Sequence, residues 1–246
     1  MKIHSIFILL FGFYQGLYAV ETDMSIIGPN QKKYNSKLSN SQDWFYKELN
    51  FNSNKERADS LRFFKEMAEA TDSTERGLWE KKFFCAFPNS FKGMQAMFGF
   101  DDKLEAAPLY YSGNETRKYL DKHIISNEIG FFHTLESIPD SIYYRKYINI
   151  CINGLWEADN IGEAFGFHYK LIDEMEKISP ILSSYSDLEI KSVFQFIFDG
   201  PHPKNKENER IFQLLKSKMK LQSMQLEALL SEAYKSLLEE HKGHQH

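Results

Sequence analysis

The chain has 246 residues, is 42% hydrophobic and 15% aromatic, and carries a formal net charge of −4. That composition belongs with folded globular proteins and excludes a disordered chain. The mildly acidic, evenly mixed charge lacks the basic patch with which a dedicated nucleic-acid binder neutralises phosphates.

Residues 1–19 carry the marks of a secretory signal peptide. Lys2 supplies the positive start, Ile6 to Phe13 form an uncharged apolar core, and the small Ala19 precedes the polar Glu21, Thr22 and Asp23. Cleavage after Ala19 leaves Leu17 where a small residue is preferred, so the segment is better defined than its cleavage site. The uncharged stretch from Ser5 to Val20 contains Gln15 and is shorter than the ~20 apolar residues of a spanning helix. The expectation is an exported chain, periplasmic or extracellular, with no stable membrane anchor once the signal is removed. Losing Lys2 takes the formal charge from −4 to −5.

Residues 20–42, rich in Asn, Ser and Lys, read as a flexible lead-in, and residues 43–246 as a single helical domain able to bury roughly 70% of its unfolded surface. From Ser53 to Ala70 the apolar Ala58, Leu61, Phe64, Met67 and Ala68 recur at three and four, the spacing of an amphipathic helix. Ser73 opens a second helix that Pro88 ends, and Asn89 and Ser90 can cap a short third that stops at Gly99. Asp101 to Asn114 reads as a loop, followed by helical stretches over 115–126 and 127–136. Tyr147 to Asn153 fits two periods. Ile148, Ile150 and Ile152 alternate like a strand before Asn153-Gly154, a hairpin signal, whereas Tyr143, Tyr147, Ile150 and Gly154 share a helical face with Gly154 as its stop. The helix is preferred, because a lone hairpin would have no sheet to join.

Glu157 to Ile178 shows a stripe of Ile161, Ala164, Phe165, His168, Leu171, Ile172 and Met175, expected to end before Pro180. Asp187 is expected to cap the next helix, which runs into Asp199-Gly200-Pro201-His202-Pro203, a stiff turn. Residues 205–240 contain neither proline nor glycine and form a long amphipathic helix or a pair. The fold class is therefore all-α, a multi-helix globular domain with a long C-terminal helix. The alternative is α+β with one short hairpin near 147–158.

Cys85 and Cys151 form an even pair, and in an oxidising compartment they are a disulfide candidate worth roughly 4 kcal/mol by loop-closure entropy. Both sit among apolar residues, so two buried thiols are the competing reading. The run Phe83, Phe84, Phe87, Phe91, Met94, Met97, Phe98 and Phe100 reads as core, with a Met-lined partner groove as the alternative.

Hydrolysis of a glycan needs two carboxyls facing each other across the sugar. Glu157 and Asp159 beside Trp156, whose ring could stack on a sugar, are weak catalytic candidates, because residues two apart on a helix point apart and acids at a helix start favour the dipole. Asp199 and His202 are candidates because the prolines fix the histidine and Asp199 could orient it, and Glu163 is a further partner. No Gly-x-Ser-x-Gly elbow, His-Glu-x-x-His or glycine-rich phosphate loop occurs, so no metal and no cofactor is expected. His123 and His133 are ten apart, His168 reads as a core or rim histidine, and His241, His244 and His246 as a solvated tail. Basic residues from Lys204 to Lys220 and acidic ones from Glu227 to Glu240 make the C-terminal segment change sign, as a solvated face does.

These residues point to an exported helical protein that acts by protein binding, with a periplasmic inhibitor or immunity-type protein against a secreted toxin as the concrete form. The alternative is a cell-envelope hydrolase with an acidic or histidine site. A third reading is a homo-oligomer joined through residues 205–240.

Overall fold

In a computed structural model, residues 49–99, 107–110, 127–156, 166–200 and 202–242 are described, and all belong to a unit spanning Lys47–His246. The segment 1–19 read as a signal peptide, the expected lead-in 20–42, the stretch 115–126 with His123, and the tail residues His244 and His246 lie outside them. Ten helices and no strand occur among the described residues, so the fold is all-α.

Helix α1 (Asn54–Ala70) starts where Ser53 Oγ accepts the Glu56 amide at 3.1 Å, and it buries Ala58, Leu61, Phe64 and Ala68 on one stripe. Helix α2 (Ser73–Ala86) follows after two residues and packs back along α1. Arg57 closes the far end by donating to the Ala86 carbonyl at 2.6 Å. Helix α3 (Phe91–Phe98) is capped by Ser90 and closed by the Gly99 amide on Gln95 O. Phe83, Phe84, Phe87, Phe91, Met94, Met97 and Phe98 are all buried, so the described part of the aromatic and methionine run is core, while Phe100 lies outside the described residues.

Helices α4 (Asn127–His133) and α5 (Asp140–Cys151) carry the centre of the molecule. α5 is flanked by α3 and by two later helices, and it buries residues around most of its circumference. An α-helix apolar on all sides is a helix packed on all sides. Phe132 of α4 stacks on Phe87 at 4.2 Å and on Tyr143 at 5.1 Å, which joins the α1–α3 layer to α5.

The Tyr147–Asn153 ambiguity resolves as helix, so the hairpin alternative is not formed. The stop is one residue earlier than expected: Asn153 takes the left-handed conformation at φ 56, which Asn tolerates through its short side chain. Gly154 has a packing reason of its own, since a Cβ there would lie 2.5 Å from Phe196 Cγ.

The two cysteines form no disulfide and are buried thiols. Cys85 lies beside Lys146, whose charge opposes the burial that pushes this thiol up to about 11. Lys146 stands five residues before Cys151, about 7.5 Å along the α5 axis, whereas a disulfide needs Cβ atoms about 4 Å apart. Burial raises the Cys151 thiol well above its ordinary value too.

The described part of the 157–178 stripe is broken. Helix α6 (Phe167–Asp173) ends at Glu174, which leaves the helical conformation, and α7 (Met175–Leu182) starts directly after it. Pro180 lies inside α7 and does not end it. Leu182 beyond the proline is fully buried, and its burial offsets the amide hydrogen bond that proline lacks. Helix α8 (Asp187–Phe198) is capped by Ser186, not Asp187, in a capping box with Glu189. The expected long C-terminal helix is a pair, α9 (Lys206–Gln222) and α10 (Met224–Lys242), parted by Ser223 in an extended conformation. Both pack together, and α8 lies against α5 and α10. No described helix is long and apolar enough to cross a membrane.

Candidate functional site

Two of the strings singled out in the sequence meet in the structure. Helix α8 ends at Phe198, and its cap Asp199 turns its carboxylate onto the chain that follows α5. Oδ2 accepts the Trp156 amide at 2.7 Å and Oδ1 accepts the Gly200 amide at 2.9 Å. A carboxylate that accepts charge-assisted bonds from backbone amides holds a loop in register. Asp199 therefore clamps the α5–α6 connection to the α8–α9 turn and fixes the backbone at Trp156.

The turn is pinned to α9 in the same way. Asn205 caps the helix by accepting the Asn208 amide at 2.8 Å, and its side chain donates to the His202 carbonyl at 2.8 Å. Asn208 Nδ2 then donates to Phe198 O at 3.2 Å and to Pro203 O at 3.0 Å. The His202 side chain is exposed, and no hydrogen bond joins it to Asp199 among the described residues. The expected orientation of its ring by Asp199 is not formed, because both Asp199 oxygens face backbone amides. Glu157, Asp159, Glu163 and Pro201 lie outside the described residues.

Helix α6 borders the same end of α9, and Lys218 donates to the Ile172 carbonyl at 2.6 Å further along. Arg210 forms a two-pronged pair with Glu207 at 2.9 and 2.6 Å. The charges of both act on His168 of α6. Burial, more than the nearby Arg210, holds its imidazole down to about 4 against the pull of Glu207, so it is neutral at pH 7. Beside it Tyr169 is 55% exposed, while Trp156 is 41% and Leu155 58% exposed. Lys204 and Lys206 are exposed as well. Around the first turn of α9 the exposed groups are thus Leu155, Trp156, Tyr169, Lys204 and Lys206, together with the paired Glu207 and Arg210 and the carboxylate of Glu209.

Of these residues, sequence reasoning reached Trp156, Asp199 and His202, and Lys204, Lys206 and Arg210 as part of the basic half of the C-terminal segment; it missed Leu155 and Tyr169. Tyr169 had a legible signal: it is an aromatic residue off the apolar stripe that holds its neighbour His168. Nothing in the sequence joins Trp156 to Asp199 across 43 positions.

The other charged groups in the interior serve the fold. Glu80 is buried and accepts Arg76 at 2.7 Å and the Glu136 and Ser137 amides at 3.0 and 2.8 Å. Burial raises its carboxyl, but these donors together outweigh that and leave it below the usual range. Lys146 donates to the Phe84 and Phe87 carbonyls at the end of α2. Tyr144 donates to Glu174, which also takes Lys170 at 3.0 Å and so ties α5 to the α6–α7 break. No group of three His, Cys, Asp or Glu side chains suited to a metal ion occurs among the described residues. No protein-family model matches the chain, and neither a curated protein nor a solved structure does.

Proposed function

We propose that the chain is an exported helical protein that acts by binding another protein, in the manner of an inhibitor or immunity-type protein, through the surface around the first turn of α9. The observation that carries this reading is the exposure of Trp156, whose backbone amide Asp199 holds, together with that of Tyr169 on α6. Tryptophan, tyrosine and arginine dominate the energetics of protein interfaces, and rigid presentation lowers the entropic cost of binding. The test is capture of partners from the native organism's envelope and secreted fractions with residues 20–246, read by mass spectrometry. One protein retained at near-equal molar amount is the expected result, and retention of none contradicts the reading.

The juxtaposition of Trp156 and Asp199 favours one second reading, an envelope hydrolase in which the indole stacks on a sugar and Asp199 works beside it. That reading expects turnover of envelope polymers that Asp199→Asn abolishes while the far-ultraviolet circular dichroism stays unchanged. Equal turnover by the variant, or none by either protein, removes it.

A further inference from the structure

The three most exposed large apolar side chains among the described residues are Leu221 at 84%, Met224 at 79% and Leu188 at 76%. All three stand at one end of the group formed by α8, α9 and α10. Helices α8 and α10 run side by side from that end: Gln225 Nε2 donates to Asp187 Oδ1 at 2.9 Å at their starts, and Lys191 meets Glu232 at 3.6 Å further along. Helix α9 runs back against α10, with Phe212 on Tyr234 and then Lys216 on Glu227 at 3.4 Å, so its last turn reaches the same end. Leu188 follows Asp187 in the chain, Met224 precedes Gln225, and Leu221 stands shortly before Met224, so the bond between Asp187 and Gln225 gathers them. Register explains why Leu221 is left outside. Helix α9 buries Ile211, Leu215 and Met219, and two residues beyond Met219 is about 200° round the helix. Apolar residues exposed singly are ordinary, whereas several that share one end of a helix group mark an interaction site.

The charges of this end suit a second copy of the chain. Lys191 and Glu232 pair, as do Lys216 and Glu227, while Lys218 donates to the Ile172 carbonyl and Glu189 accepts Ser186. Asp187 and Lys220 remain, one of each sign, both exposed and neither in an ion pair among the described residues. A contact across a twofold axis sets a patch against its own copy, so a patch of one sign repels itself and a patch of both signs can pair twice. We infer that Leu188, Leu221 and Met224 join two copies of the chain in a twofold-symmetric dimer, with Asp187 of each copy facing Lys220 of the other. A lipid surface also takes up exposed Leu and Met. It fits less well, because Asp187 beside them opposes an anionic headgroup layer. Lys206 and Leu221 stand at opposite ends of α9, about 22 Å apart along its axis. A dimer formed here therefore leaves the first-turn surface of α9 open on both copies, and it does not depend on the binding proposed for that surface.

The experiment is sedimentation equilibrium of the full chain over a concentration series, in which the mass is expected to rise from one copy to two. Leu221→Ser with Met224→Ser is expected to raise the dimer Kd on the order of tenfold, with Tm at low protein concentration unchanged because both side chains are exposed. Asp187→Lys and Lys220→Glu are each expected to weaken the dimer on the order of fivefold, since each sets like charges against each other across the axis. A one-to-one mixture of these two variants is expected to associate as tightly as the wild type. In the mixed dimer the two reversed charges face each other, and so do the two native ones. A role confined to one chain gives no such rescue by mixing. A chain that stays monomeric at every concentration, a dimer unmoved by the Leu221 and Met224 changes, or a mixture no tighter than its components overturns the inference. So does a monomer that floats with phosphatidylcholine–phosphatidylglycerol vesicles and loses that property in Leu221→Ser with Met224→Ser, which assigns the apolar end to a membrane surface.

Discussion

Glu80 shows how one buried charge organises its surroundings. Its carboxylate joins Arg76 one turn before it on α2 to the amides of Glu136 and Ser137 between α4 and α5, so three donors replace the water lost on burial. Glu80→Gln is expected to cost about 1–3 kcal/mol, since each lost bond to a charged group is worth that order. Its carboxyl is held below the ordinary carboxylate range, so its stabilisation is complete above that range and is lost as pH falls through the folded value. His168 acts in the same direction for a different reason. Its folded value of about 4 lies below the ordinary histidine value of about 6.5, so the unfolded chain takes a proton that the folded chain refuses. Stability is expected to fall as pH drops from about 6.5 to about 4, and urea midpoints across that window should flatten in His168→Gln. A slope unchanged by the substitution would contradict the burial of this ring.

At the scale of elements, helix existence was legible and helix ends were less so. The three-and-four spacing of Ala58, Leu61, Phe64 and Ala68 produced α1 nearly to the residue, because that stripe is the buried one. The break at Ser223 had no such mark. Serine is an ordinary residue in a run without proline or glycine, yet here its hydroxyl accepts the Leu226 amide at 3.3 Å and starts α10. The break at Glu174 and the persistence of α7 through Pro180 are likewise set by what packs around them, beyond the reach of local propensity. Tertiary contact also decided the end of α5, where Gly154 is needed for the closeness of the Phe196 ring and Asn153 makes the turn. Gly154→Ala is therefore expected to cost about 1–3 kcal/mol, since the added methyl meets the buried Phe196 ring, which packs edge-on against Phe91. A neutral Gly154→Ala in chemical denaturation would show that α8 can shift away from α5.

For the whole molecule, the all-α class followed from periodicity and the absence of a strand partner, whereas the candidate surface followed from neither. Its parts come from the chain after α5, from α6, from the α8–α9 turn and from the start of α9; Asp199 ties the Trp156 backbone to the turn, and Asn208 ties the turn to α9. A one-dimensional reading could flag Trp156 and Asp199 separately for their chemistry, but their proximity is a property of the packed helices. Trp156 and Tyr169 are exposed aromatic residues of this surface, although Leu188, Leu221 and Met224 elsewhere are more exposed, at 76%, 84% and 79%. The most direct measurement is quantitative capture of the partner by wild-type chain and by Trp156→Ala with Tyr169→Ala, both first shown to have the same Tm. The account predicts near-equal molar retention by the wild type and a loss of at least tenfold in affinity for the double variant; equal retention by the two proteins would contradict it.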